Sequence, residues 1–328
     1  MGSNNSKNTK NTHRLRDSIS SNHSSNKKPL ERKTSVSSDK EKYKYIEGRR
    51  FHNWPDIHYD LPNDDDEIDR LHLEHFLIRA VWESNFSSPI GERLGAGCTV
   101  LDIGCGPGAW CLDMATKYKN THFVGLDISP IFPKEIKPSN TIFQECQILD
   151  GIPYKDQEFD FCHMRFMFPS FDETQFENLV IREVSRVLKV EGYLEVCEYE
   201  LCQNCGPILQ RLLDLRCEMM TNIGRNPKIA SLIGKFMENT NQFGEVKFEE
   251  RTIGIGSWAG RIGEVAKDDV VTRMYSIKPA LMNHINILGI GITSDDYDEM
   301  ITQSIEEFNE YQTYFVTCRW YAKKFQHL

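Results

Sequence analysis

The chain has 328 residues, 39% hydrophobic and 11% aromatic, enough to bury a sizeable core in one large or two ordinary domains. Its net charge of −9 is uneven: residues 1–40 carry nine Lys or Arg against three Asp or Glu, a local +6 that leaves −15 on the remainder. An acidic body argues against nucleic acid as the main partner, since phosphate binding needs basic surface. No apolar run approaches bilayer-spanning length and no secretory apolar core stands near the start. Ten cysteines without paired spacing point to reduced thiols in the cytoplasm or nucleus.

Residues 1–42 are rich in Ser, Asn and Lys and poor in large apolar side chains, which predicts a disordered basic tail. Its start, Met1-Gly2-Ser-Asn-Asn-Ser6-Lys7, fits the N-myristoylation pattern at Gly2. One acyl chain binds membrane only marginally, and the basic residues from Lys7 to Lys33 supply a second signal. Arg32-Lys-Thr-Ser35 matches a basophilic kinase site, where phosphate would favour release. The opposing expectation is an unmodified, solvated tail.

Residues 43–90 read as an N-terminal, largely helical lid. Tyr45-Ile-Glu-Gly-Arg-Arg-Phe-His52 and Tyr59-Asp-Leu-Pro-Asn-Asp64 precede a helix ending at Trp82, with Asp64–Asp66 suiting its start. Residues 91–200 then form a nucleotide-type core. Val100, Leu101 and Ile103 make a buried strand carrying Asp102; Gly104, Gly106 and Gly108 make a tight turn, and a helix follows. Glycines serve where backbone bends sharply and approaches a ligand closely. Asp102 would repel a pyrophosphate but suits a cationic ligand such as the amino-acid end of S-adenosylmethionine (SAM). A second apolar run ends in Asp127, placed to accept both hydroxyls of a ribose. Further strands are predicted at 141–144, 159–164 and 189–198, with a helix over 174–188. Residues 201–328 supply helices over 209–220, 228–237, 258–274 and 294–311, the last capped by Ser294, and two strands near 246–254 and 313–321. Cys197, Cys202 and Cys205 lack a well-spaced fourth ligand, so no metal site is expected.

The motif Asp102-Ile-Gly-Cys-Gly-Pro-Gly108 and the order of elements through Glu198 resemble the class I SAM-dependent methyltransferases. The Arg49-Arg-Phe-His52 segment, Leu61-Pro-Asn-Asp64 and Phe159-Asp-Phe-Cys-His-Met-Arg165 resemble the fungal LaeA-like group. The resemblance implies an α/β fold: a doubly wound, mostly parallel seven-stranded sheet, Rossmann-like, with helical lid insertions. It implies SAM as cofactor, contacted by Asp102, Gly104, Cys105, Gly106, Gly108, Asp127, Ile128, Gln147, Ile148 and Met164. Gln147 stands where many members carry Asp or Asn for the adenine amino group, leaving the Ile148 N–H to serve; Val190-Glu191-Gly192 replaces the usual Pro-Gly-Gly turn. The last two strands would form an antiparallel edge pair with helices inserted between them.

Methyl transfer needs alignment and exclusion of water, and a base only for a hydroxyl or protonated amine. His163 is the candidate base and Arg165 the candidate for an acidic substrate group; a core histidine and a structural ion pair are the competing readings. Arg50 and Arg70 are candidates for the SAM carboxylate, with a surface or interdomain ion pair as the favoured reading for each. No Pro-Pro-Tyr motif of base methylation follows the fourth strand, leaving an unidentified small-molecule or protein acceptor. Two other classes compete: a SAM-binding regulatory protein with little catalysis, and a nicotinamide dehydrogenase, disfavoured by Asp102. The expected location is the cytoplasm, with peripheral membrane association through Gly2, or the nucleus.

Overall fold

In the computed structural model, residues 42–54 and 59–325 are described. The tail, with Gly2 and Ser35, lies outside them. The described part opens with a two-stranded antiparallel hairpin, β1 (Tyr43–Ile46) and β2 (Arg49–His52), at the start of the segment expected to be a largely helical lid. Glu47 and Gly48 both take positive φ in its two-residue turn, the geometry that matches the twist of paired strands. Helix α1 (Asp65–Trp82) follows, with Asp64 as its N-cap accepting the Glu67 N–H and three acids in the first turn.

After α2 (Gly91–Ala96) come β3 (Thr99–Ile103), α3 (Ala109–Lys117), β4 (His122–Asp127), β5 (Thr141–Glu145) and β6 (Phe159–Arg165). A composite helix α4 (residues 173–187), with a π-helical stretch at its centre, begins in an Asp172–Gln175 capping box and leads to β7 (Leu188–Tyr199). Then come α5 (Pro207–Asn222), α6 (Ile233–Asn239), β8 (Lys247–Gly254), α7 (Gly260–Leu288), α8 (Ser294–Glu310) and β9 (Tyr314–Lys323). Helix α7 runs fourteen residues beyond its expected end at Met274, through Pro279. The N-cap of α8 is Thr293 rather than Ser294: its hydroxyl accepts from the Asp296 N–H while the Asp296 carboxylate accepts from the Thr293 N–H, a reciprocal pair.

Seven strands form one sheet in the order β5-β4-β3-β6-β7-β9-β8. The first five are parallel; β9 runs antiparallel to both β7 and β8. Chain order reverses between β3 and β6, so the crevice beyond their carboxyl ends is where a ligand binds in an open α/β sheet. The sheet is covered on both faces. Val100, Phe123 and Phe161 pack with Trp110 and Met114 of α3, while Leu101, Ile103, Cys162 and Met164 pack with Val180 and Val184 of α4. A third core joins α1, α5, α7 and α8 to the β8–β9 edge through Leu77, Leu215, Leu281 and Phe308. In chain order α7 and α8 lie between β8 and β9; α7 packs on α1, and α8 packs on α5 and α7.

Candidate active site

A cleft with about 1350 Å³ of empty space opens at the carboxyl ends of β3, β4 and β6. Its floor is the glycine loop, where Gly104, Gly106 and Gly108 have φ of 67°, 53° and 79°, values that L side chains adopt only under strain. A Cβ on Gly106 would stand in open space, 3.8 Å from the nearest side chain, so the missing atom leaves room in the cleft itself. A Cβ on Gly104 would collide with Met167, and one on Gly108 with the Phe143 ring.

Asp127 closes β4 beside the loop. One oxygen accepts the Gly106 N–H at 2.8 Å and the other the Ser129 N–H at 2.7 Å. The Ile128 N–H also favours the ionised carboxylate, and of about four acceptor positions on a carboxylate at least one remains for a ligand's hydroxyls. Burial outweighs these donated bonds and pushes the Asp127 pKa up to about 6.

Asp102 and His163 face each other across the β3–β6 register, and the carboxylate meets Nδ1 of His163 at 2.7 Å. Both are nearly inaccessible. The imidazole stacks on Trp110 with centroids 4.0 Å apart, and the indole donates to the Asn85 carbonyl at 2.8 Å. The other Asp102 oxygen takes the Cys111 thiol at 3.6 Å. The partner of His163 is thus a carboxylate rather than backbone. With Nδ1 engaged, Nε2 is the nitrogen left for other chemistry.

Arg165, at the end of β6, also lines the cleft and meets Nδ1 of His75 on α1 at 3.2 Å. Among the described residues it makes no ion pair, and burial holds its pKa below the usual value. The following turn is held from beneath by Glu198, whose carboxylate accepts the Met167 N–H at 2.7 Å and whose pKa burial pushes up to about 8.

The cleft therefore gathers Asp102, Gly104, Cys105, Gly106, Asp127, Ile128, Gln147, Ile148, His163 and Arg165. Four expected residues stand elsewhere, among them Arg70, which is committed to ion pairs with Glu67 and Asp269. Met164 is fully buried in the core with α4: successive strand residues face opposite sides, so His163 and Met164 cannot share one, and Met167 lines the cleft instead. Gly108 caps α3 and exists for contact with Phe143. Arg50 is committed to Asn63, donating from Nε to the side-chain oxygen at 2.9 Å and from the guanidinium to the backbone carbonyl, with the Tyr43 ring beneath it.

Sequence reasoning overlooked Tyr59, Asn63 and Glu74, which line the cleft from its cover. The Asn63 amide reaches the Ser129 hydroxyl at 3.4 Å, docking the Tyr59–Asp64 segment beside Asp127. The signal was the Leu61-Pro-Asn-Asp64 motif, which has no hydrophobic period to place it. The cover is fixed by buried charge. Arg70 of α1 pairs with Glu67 at 2.7 Å and with Asp269 of α7 at 2.8 Å; Arg273 joins Asp269 to Glu74; Ser276 donates to Glu67 at 2.9 Å.

A family profile described as "Methyltransferase domain" matches residues 94–244. The chain is 31% identical to methyltransferase pytC of Aspergillus terreus over 69% of each chain. It is 26% identical to N-methyltransferase gliN of Aspergillus fumigatus, covering 76% of this chain and 90% of the relative. It is 24% identical to the secondary metabolism regulator laeA of Coprinopsis cinerea, covering 81% and 69%. Among solved structures, phosphoethanolamine N-methyltransferase 2 of Haemonchus contortus aligns over 84% of this chain and 62% of its own with 16% identity and a TM-score of 0.44.

Proposed function

We propose, for a chain that belongs to the LaeA-like group of SAM-dependent methyltransferases, that the acceptor is a small organic molecule enclosed beneath the helical cover. The carrying observation is that enclosure: the Tyr59–Asp64 segment and α1 stand over the glycine loop, and buried ion pairs to α7 hold α1 there. A folded protein surface or a duplex cannot enter such a site, and the −15 charge of the body repels the latter. The name of gliN, an N-methyltransferase, supports a nitrogen nucleophile.

Bound SAM supplies an electrophilic methyl group on a sulfonium. The residues present fit it: the space left by Gly106, the remaining acceptor capacity of Asp127, and Gln147 and Ile148 at the same rim. Arg165, a buried guanidinium without an ion pair among the described residues, takes the amino-acid carboxylate in place of Arg50. His163, its Nδ1 fixed by Asp102, can take a proton at Nε2 from a hydroxyl or ammonium acceptor; an amine already neutral needs no base.

The test is turnover of SAM to S-adenosylhomocysteine with a cell extract divided by ultrafiltration. Activity is expected with the small-molecule filtrate. Activity only with the protein retentate would overturn the enclosed-acceptor reading. The likeness to proteins named regulators supports a second reading, regulation through the bound cofactor; SAM binding without turnover in any fraction would favour it.

The N-terminal tail is proposed as a membrane address, acylated at Gly2 and assisted by its basic residues. Metabolic labelling with an alkynyl myristate tests it: no label on the wild-type chain, or equal membrane association of Gly2→Ala, removes the anchor.

A further inference from the structure

A second cavity, with about 790 Å³ of empty space, lies behind the cleft between α5, α7 and the ends of β7 and β9. Its walls are mostly apolar, with Leu209, Leu212, Met220, Met274, Ile277 and Phe315 among them. The two spaces share a partition. Met167 lines the cleft and the adjacent Phe168 lines the cavity; Glu74 lines the cleft and its ion-pair partner Arg273 lines the cavity.

Two guanidinium groups enter this apolar space, and they differ. Arg273 is neutralised, its charge shared by Glu74 and Asp269 and its guanidinium over the Tyr199 ring, with only its Nε lacking an acceptor among the described residues. Arg216, from α5, is paired more loosely. Its nearest carboxylate is Asp60 at 3.5 Å, too long for a good charged hydrogen bond. Among the described residues neither its Nε nor its Nη2 meets an acceptor, although both atoms are shielded from solvent. Burial alone would lower its pKa, but Tyr199, which takes a hydrogen bond from the guanidinium, and Asp60 outweigh that, so it stays cationic with Nε and Nη2 still unmet. Glu200 also borders the cavity, but from the solvent side. A buried charge with unsatisfied donors is costly, and a planar fork of donors matches a carboxylate.

We infer that this cavity is the acceptor subsite, and that it takes an apolar molecule bearing a carboxylate, which Arg216 binds while the apolar walls hold the remainder. The inference rests on the small-molecule reading above. The acid would complete the hydrogen bonding of Arg216, the apolar walls would hold most of the molecule, and only its reacting end would have to pass the Met167–Phe168 partition into the cleft. Specificity follows from the unmet donors: a site built for an acid rejects the neutral analogue that leaves them unpaired.

The experiment is isothermal titration of the full chain, saturated with S-adenosylhomocysteine, with indole-3-acetate, 4-phenylbutyrate and decanoate, each against its own amide. At least one acid should bind about tenfold or more tightly than its amide, as expected for a charge-assisted contact. Arg216→Gln should erase that preference and Arg216→Lys keep part of it, with affinity for S-adenosylhomocysteine unchanged in both. Wild-type protein with no preference for any acid overturns the inference without any variant. So does Arg216→Gln that keeps the preference, or one that loses S-adenosylhomocysteine affinity in step, which would make Arg216 a brace for the cover through Asp60. The titration involves no turnover. A positive titration with no active filtrate fails only the enzymatic reading, and an active filtrate with a negative titration fails only this subsite.

Discussion

In the glycine-loop half, Asp127 is held by the N–H groups of Ser129, two residues on, and Gly106, 21 residues back. In the cover, Arg70 is held by Asp269, 199 residues away. The first arrangement uses main-chain donors that strand order delivers automatically. The second needs two helices from opposite ends of the chain to bring five charged side chains into one dry seam. A backbone donor cannot be mutated away, whereas each member of an ion cluster can. The ligand-binding half should therefore tolerate single side-chain losses as changes in affinity, and the cover should suffer them as changes in stability.

Removing Arg70 breaks this contrast most severely. Arg70→Ala leaves Glu67, Glu74 and Asp269 with Arg273 alone, and breaking a buried pair costs about 3–5 kcal/mol. Denaturant unfolding should show that loss, and hydrogen exchange should show α1 and α7 opening first. A loss below about 1 kcal/mol would mean the cover is held by its apolar contacts instead.

His163 tests the border between the two halves. His163→Ala strands the Asp102 carboxylate and removes the ring stacked on Trp110, which should cost about 1–3 kcal/mol of stability. His163→Asn, able to donate to Asp102, should recover part of that stability while turnover stays low. Full turnover in the Asn variant would reduce His163 to a structural role.

Asp127 should respond in affinity. Asp127→Ala should weaken SAM binding by about 1–3 kcal/mol in calorimetric titration. The pH dependence carries a definite sign. A carboxyl raised from 3.8 to about 6 on folding stabilises the unliganded fold fully below 3.8, and that contribution disappears as pH rises through about 6. In the proposed ribose contact the ionised form is the acceptor, so SAM affinity should rise over the same interval. Asp127→Asn should flatten both curves, and a wild-type affinity constant from pH about 5 to about 8 would remove Asp127 from the cofactor site.

The smallest effect belongs to Arg50. Arg50→Ala loses its bonds to Asn63, worth about 1 kcal/mol of stability, and should leave SAM affinity within about twofold. A tenfold drop would return Arg50 to the cofactor's carboxylate.

Most of the ligand-binding half was legible in the residue order. Asp102, the three glycines and Asp127 follow one another at the spacing of a strand–turn–helix–strand unit, and their places follow from that local geometry. Met164 was misplaced because the strand's alternation assigns it the opposite face from His163, and a motif read as a block of letters ignores that alternation. The pairing of Asp102 with His163 was hidden because β3 and β6 become neighbours only through the reversal of strand order.

The sequence by itself determined the class of fold, the cofactor and the chemistry, because those depend on short-range patterns that secondary structure converts directly into a site. Only the tertiary structure decided what covers that site and what lies behind it. Glu74, Arg216, Asp269 and Arg273 sit on helices whose polar residues look like ordinary solvent-facing charge. Their meaning appears only when α1, α5 and α7 are packed together, since burial turns an exposed charge worth little into one that must find a partner.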